Sequence, residues 1–270
     1  MSVYSPVVAG LAALPVNDWR AAAKLIEHTL LKPNATRSQV SDVCQEAVRY
    51  GFHLVMVNPA NVALAAAQVH GTEVKVGTVI GFPLGANLTI TKMFEAENAL
   101  RQGAIELDIV MNIGALKSGD RLLVKTEMRS LTELAHRHGA LLKLILENAL
   151  LTQEEKILAC ALAAEAGVDF VKTSSGLAES GATAHDVALM RGVVGLKIGV
   201  KAAGGIRTAA QLLEMVDAGA NRIGTSASVQ IVQEMGAREC GGIAFQEGFS
   251  PRTRFAGPEA LPTKSNLRHD

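Results

Sequence analysis

Two lysines set into apolar strand-like runs are the residues best placed to do chemistry in this 270-residue chain. Lys172 lies in Asp169-Phe170-Val171-Lys172-Thr173-Ser174, and Lys201 in Ile198-Gly199-Val200-Lys201-Ala202-Ala203-Gly204-Gly205. Parity lets both face the same side of neighbouring strands. Two ammonium groups crowded into one site raise each other's energy, so at least one pKa falls. A lysine so depressed carries a free amine near neutral pH and can attack a carbonyl. A third run, Ile105-Glu106-Leu107-Asp108-Ile109-Val110, puts Glu106 and Asp108 on one face and Leu107 and Ile109 on the other. Buried carboxylates are costly unless paired. Glu106 reads equally well as half of a structural ion pair or as part of a site. Asp108, with Lys143 on a further strand and the two lysines, reads better as a proton relay.

Glycines supply the next signal. Gly204-Gly205 follows one lysine-bearing strand, and Gly224-Thr225-Ser226 ends the last strand. Such turns let backbone N–H groups approach an anion, and a helix start beyond them helps to hold it. The histidines form no metal site: His136 and His138 are two apart on a helix, and neither HExxH nor CxxC occurs. His28, beside Glu27 and Thr29, reads as a hydrogen-bonding or packing residue.

These residues need elements that bring strand ends together. The chain alternates short apolar runs with longer helical patterns. Strands are expected over Ile26–Leu30, His53–Val57, Lys75–Ile80, Ile105–Val110, Leu142–Glu147, Asp169–Ser174, Lys197–Ala202 and Arg222–Thr225. Helices are expected over Arg37–Tyr50, Pro59–Val69, Thr89–Gln102, Leu122–His138, Gln153–Ala166, Ala184–Arg191, Ala209–Ala218 and Ser228–Met235. Thr152 with Glu155 makes a capping box, and Gly51, Gly103, Gly139, Gly167 and Gly219 follow helices as stop signals. Eight strands in βα alternation fit a closed (β/α)8 TIM barrel, with the site at the C-terminal strand ends and phosphate commonly held after strands seven and eight. An open doubly wound sheet is the alternative, but no GxGxxG opens a helix after an early strand. The expected organisation is an N-terminal helical segment over 1–25, one catalytic barrel over 26–240, and a tail over 241–270. The tail is read as mobile or, alternatively, as docking over the barrel mouth.

Composition narrows the classes. Half the residues are apolar and only 4% aromatic, which suits helices packed on a parallel sheet. Zero formal charge argues against nucleic acid or an anionic membrane as the main partner. No apolar run approaches the roughly 18 residues of a membrane helix. Three scattered cysteines, Cys44, Cys160 and Cys240, point to reduced thiols and a cytoplasmic location. Barrels of this kind often pair through outer helices, so a homodimer is open to the chain.

Five blocks then occur in one order: Glu27-His28-Thr29-Leu30-Leu31-Lys32-Pro33, Val79-Ile80-Gly81-Phe82-Pro83-Leu84-Gly85, Glu106-Leu107-Asp108, Asp169-Phe170-Val171-Lys172-Thr173-Ser174, and Val200-Lys201-Ala202-Ala203-Gly204-Gly205-Ile206-Arg207-Thr208. Over residues 26–235 the chain resembles the deoxyribose-phosphate aldolases, which are class I (Schiff-base) enzymes. The resemblance implies that Lys172 is the Schiff-base nucleophile, that Lys201 lowers its pKa, and that Asp108 with a water moves protons. It also implies that Thr29 and Lys143 belong to the surrounding polar network and that Gly176, Gly204, Gly205 and Ser226 hold the substrate phosphate. The implied reaction is reversible cleavage of 2-deoxyribose 5-phosphate to acetaldehyde and glyceraldehyde 3-phosphate, with no metal or organic cofactor because the iminium is itself the electron sink. The partners are then a small phosphorylated sugar and aldehydes. Several positions depart from the family pattern. Glu27 stands where Asp is usual, lengthening a carboxylate arm expected near substrate. Met56 stands for Cys, Ser175 for Thr, Asn148 for Thr, and Ala227 for a second Ser. The only tyrosines are Tyr4 and Tyr50, so the tail supplies none.

Overall fold

A computed structural model describes residues 16–239. Eight parallel strands close into one barrel in sequence order, with β8 bonded back to β1. They are β1 (Ile26–Leu30), β2 (Leu54–Val57), β3 (Lys75–Ile80), β4 (Glu106–Val110), β5 (Leu141–Ile145), β6 (Phe170–Lys172), β7 (Gly199–Ala203) and β8 (Arg222–Thr225). A short helix α1 (Trp19–Ala23) precedes β1. The crossovers carry α2 (Arg37–Tyr50), α3 (Val62–Val69), α4 (Thr89–Arg101), α5 (Ile113–Lys117), α6 (Arg121–Arg137), α7 (Gln153–Ala166), α8 (Ala184–Val194) and α9 (Ala209–Asp217), and α10 (Ser228–Glu239) follows β8. Parallel strands require such crossovers, and closure leaves no sheet edge to protect. The expected tail and Cys240 lie outside the described residues, as does most of the expected N-terminal segment.

Local chemistry sets the element ends. Capping boxes at Thr36/Gln39, Thr152/Glu155 and Thr208/Gln211 start α2, α7 and α9. All five glycines read as stop signals take positive φ. The bounds of β1, β3, β8, α2 and α7 match expectation; others shift for identifiable reasons. β6 is shorter than 169–174; at its ends the Asp169 carboxylate accepts from Leu142 N (2.8 Å) and lies 2.9 Å from His136, and Thr173 Oγ1 bridges to Ala203 N and O, each at 3.1 Å. β5 ends before Glu147, whose backbone is left-handed. The helix expected from Pro59 opens as a 3-10 turn, Pro59–Asn61. α5 was not legible in the apolar pattern; Asn112 caps it through Ala115 N.

Along each strand, side chains alternate between the helical layer and the lumen. Outward residues such as Val55, Ile80, Leu107, Leu144, Val200 and Ile223 join the helices in one apolar core. The lumen holds a separate apolar wedge, Leu54, Met56 and Val79, with Leu31 and Phe82 against it. The remaining lumen is ionic. Its floor is tightly filled: a Cβ on Gly199 would lie 2.0 Å from the Phe170 ring. Gly199→Ala is therefore expected to cost about 1–3 kcal/mol through overpacking, measured by urea unfolding and largely recovered in Gly199→Ala/Phe170→Leu. An unchanged midpoint in the single variant would show that the floor has slack.

Candidate active site

The lumen charges are assembled from six strands. β1 contributes Glu27, β4 Glu106 and Asp108, β5 Lys143, β6 Lys172, β7 Lys201 and β8 Arg222. The register sets Asp108 beside Lys143 and Lys172 beside Lys201. Asp108 is the hub. Its Oδ1 accepts from Lys143 at 2.9 Å, and its Oδ2 accepts from Lys172 at 2.8 Å and Lys201 at 2.6 Å. Glu27 pairs with Lys201 and lies 3.4 Å from Lys143. Glu106 sits 2.7 Å from Lys143 and 3.0 Å from His53. Arg222 lies 4.0 Å from Glu27, with its guanidinium over the Phe170 ring. Lys143, Lys172, Lys201, Glu27 and Asp108 are all buried.

Burial and charge act differently on each group. Burial pulls Lys172 down to about 8; the Lys201 ammonium adds to this, and Asp108 opposes it. Desolvation therefore outranks the neighbouring ammonium as the cause. Burial also works against the charge on Lys143, but Asp108, Glu106 and Glu27 outweigh it and hold Lys143 above the ordinary lysine range. Burial would raise Asp108, yet the ammonium groups of Lys143, Lys172 and Lys201 drive it well below the usual carboxylate range. Glu106 is likewise depressed, with Lys143 and His53 overcoming its burial. Burial lowers His53, with Arg222 adding to the fall.

Above the network opens a cavity of about 290 Å³ at the C-terminal ends of the strands. Of the three lumen lysines only Lys172 lines it; Lys143 and Lys201 lie beneath. Thr29, Gly176, Gly204, Gly205 and Ser226 line it as well. Thr29 Oγ1 donates to Glu27 O at 2.9 Å. Gly204 has φ +92°, and Gly181 packs so closely that a Cβ there would lie 2.1 Å from Gly204 O; Ala182 N donates to that same oxygen at 3.0 Å. Glycine is thus required on both sides of this contact.

The longer Glu27 arm does not reach the cavity: it is fully buried and spent on Lys201 and Lys143. Ala227 lacks a hydroxyl, and Ser228 does not replace it, because Ser228 Oγ bonds His28 at 2.8 Å and donates to Thr225 O. His28 faces outward, between Ser228 and Glu46, in the hydrogen-bonding role expected of it. Lys32 and Arg207 also line the cavity and add positive charge to it. Strand parity does not mark either one, because both lie in loops just past the ends of β1 and β7. Phe82 supplies an apolar wall.

The titration of Lys172 is directly testable by NMR of ε-13C-lysine-labelled protein. Lys172 is expected to titrate near 8, and Lys201→Met to move that inflection upward by removing a positive neighbour and leaving Asp108 less shared. A downward move or no move would refute the assignment. Stability should also depend on acid. Asp108 and Glu106 have folded pKa values below their unfolded ones, so their contribution is full above about pH 4 and is lost as pH falls through the depressed values. Asp108→Asn should lower the melting temperature at pH 7 and flatten its decline in acid; an unchanged acid limb counts against the hub.

Comparison with known proteins agrees with the geometry. Residues 21–245 match the model of the DeoC/LacD family aldolases. The chain is similar to the deoxyribose-phosphate aldolase of Thermococcus gammatolerans, 56% identical over 218 residues, covering 80% of this chain and 96% of that protein. It is 55% identical to that of Thermococcus kodakarensis over 216 residues, covering 79% of this chain and 96% of the relative. Among solved structures, the tetrameric deoxyribose phosphate aldolase of Aeropyrum pernix superposes with a TM-score of 0.75 at 35% identity, covering 80% of this chain and 91% of that one. The chain belongs to the DeoC/LacD family of aldolases.

Proposed function

We propose that the protein is a deoxyribose-phosphate aldolase: a lyase that reversibly cleaves 2-deoxyribose 5-phosphate to acetaldehyde and glyceraldehyde 3-phosphate through a Schiff base on Lys172. One observation carries the assignment of the nucleophile. Lys172 is the lumen lysine that both lines the cavity and has its pKa pulled down to about 8, so a useful fraction of free amine exists near neutrality.

In the cleavage direction the Lys172 amine adds to the aldehyde carbon of the open-chain sugar. Loss of water gives an iminium. The C3 hydroxyl proton is removed, the C2–C3 bond breaks, and its electron pair flows into the iminium to form an enamine, releasing glyceraldehyde 3-phosphate. Protonation of the enamine carbon and hydrolysis then release acetaldehyde and restore the amine. The iminium serves as electron sink, so the scheme uses no metal or organic cofactor. Asp108, 2.8 Å from Lys172, is the group in reach to move protons with a water during dehydration and enamine protonation. Lys201 supports the free amine by its charge, and Thr29 and Lys143 complete the polar surroundings. The backbone at Gly176, Gly204 and Gly205 and the Ser226 hydroxyl form the phosphate end, with Lys32 and Arg207 adding attraction.

One barrel domain over 26–240 carries the reaction in this reading, in the reducing cytoplasm, in keeping with buried free thiols at Cys44 and Cys160. No helix among the described residues is long and apolar enough to cross a membrane. The tetrameric Aeropyrum relative supports a homo-oligomer, for which a homodimer is the smallest form. Leu84, Leu88, Ile90 and Phe94 leave apolar surface exposed along one segment, as an association face would.

Borohydride reduction with acetaldehyde should leave a two-carbon adduct on Lys172, found by peptide mass spectrometry. Lys172→Met should abolish both adduct and cleavage. A Lys172→Met variant that keeps full activity would end the Schiff-base reading. Cleavage of 2-deoxyribose 5-phosphate should exceed that of 2-deoxyribose, and a ratio near one would remove the phosphate assignment.

A further inference from the structure

Glu147 lies two residues beyond β5, and among the described residues it is the one non-glycine with positive φ, at +59°. A left-handed backbone is unfavourable for a residue with a side chain, and such strain persists where the surroundings hold it and where it serves a site. The surroundings are plain. Leu146 N donates to Lys172 O and Asn148 N to Thr173 O, each at 2.9 Å, so both neighbours of Glu147 are bonded to the end of β6. Between these clamps the Glu147 side chain is buried, and its carboxylate oxygens lie 3.3 and 3.2 Å from Ser175 N. Glycine would relieve the backbone at this position but would bring no carboxylate.

Ser175, Gly176 and Leu177 form a strip between two cavities. One face lines the cavity above Lys172; on the other side, Glu147 lines a second cavity of about 360 Å³ together with Ser175 and Leu177. The strip is tightly turned: Gly176 has φ +89°, and Ser175 Oγ accepts from Leu177 N at 3.1 Å. Among the described residues its only carboxylate grip is applied at Ser175 N, immediately before the glycine assigned to the phosphate. We infer that Glu147 is a positioning residue: by holding the Ser175 amide it fixes the turn at Gly176 in the shape that receives the substrate phosphate. A carboxylate close to a phosphate site would repel the ligand if it faced it; here it grips the strip from the opposite side. The inference rests on the aldolase reading and on the phosphate end assigned above.

Full-length Glu147→Ala, Glu147→Gly and Glu147→Gln are compared with wild type. Three readouts are taken: KM and kcat on 2-deoxyribose 5-phosphate, the same on 2-deoxyribose, and acetaldehyde trapping on Lys172 with melting temperature alongside. Glu147→Ala and Glu147→Gly should raise KM for the phosphorylated sugar about tenfold, as loss of one charge-assisted hydrogen bond allows. Their kcat should stay within about twofold, and the effect should be confined to the phosphorylated sugar. Glu147→Gln keeps an oxygen acceptor and should recover most of the KM. Glu147→Gly relieves the backbone, so it should melt no lower than Glu147→Ala while still losing phosphate preference. Equal losses on both sugars, or activity that simply follows melting temperature across the variants, would overturn the positioning role. Failure of the aldolase reading itself is seen separately, as absent trapping or absent phosphate preference in wild type.

Discussion

Within the barrel, Glu27, Glu106 and Asp108 face Lys143, Lys172, Lys201 and Arg222 in a space largely closed to water. Three carboxylates cannot balance four cations, and an uncompensated buried charge is costly. The mismatch is relieved when one lysine gives up its proton. Lys143 is surrounded by all three carboxylates and keeps its proton firmly. Lys172 contacts one carboxylate, Asp108, which is also shared with Lys143 and Lys201, and burial pulls it to about 8. Lys172, the proposed nucleophile, is thus the surplus cation of an otherwise balanced cluster. Its reactivity belongs to the whole lumen rather than to one neighbour.

The fold turns this balance into a site by layering. The charged residues sit on the lumen face of their strands because alternate residues are taken up by the helix-facing core. Lys143, Lys201 and Glu27 lie beneath, and Lys172 reaches the cavity. The apolar wedge on β2 and β3 confines the ions to the other side of the barrel. Phe82 gives the cavity an apolar wall, and the glycine-rich turns line the part proposed to receive the phosphate. A sugar with an aldehyde at one terminus and a phosphate at the other matches that polarity.

The departures from the family pattern fall into place by depth. Glu27 is taken up by the lysines of the network, so its extra methylene sets its reach to Lys201 and Lys143. Met56 belongs to the apolar wedge, where a thioether packs and offers no reactive thiol. Ala227 adds no hydroxyl beside Ser226, and Ser228 is committed to His28 and Thr225.

The alternation of apolar runs and helical patterns determined a (β/α)8 barrel, because strand period, helix period and capping residues are local properties that short stretches of chain carry unaided. Strand parity and the five ordered blocks likewise marked Lys172, Lys201 and Asp108. Parity, however, says only which way a residue faces. That Glu27 lies under the site instead of in it, that Lys32 and Arg207 reach the cavity wall, and that Glu147 grips Ser175 were decided by tertiary structure. So was the leading cause of the Lys172 shift: burial depth depends on every strand closing around the lysine. These properties arise between residues far apart in the chain, where distance and desolvation, rather than local pattern, set the outcome.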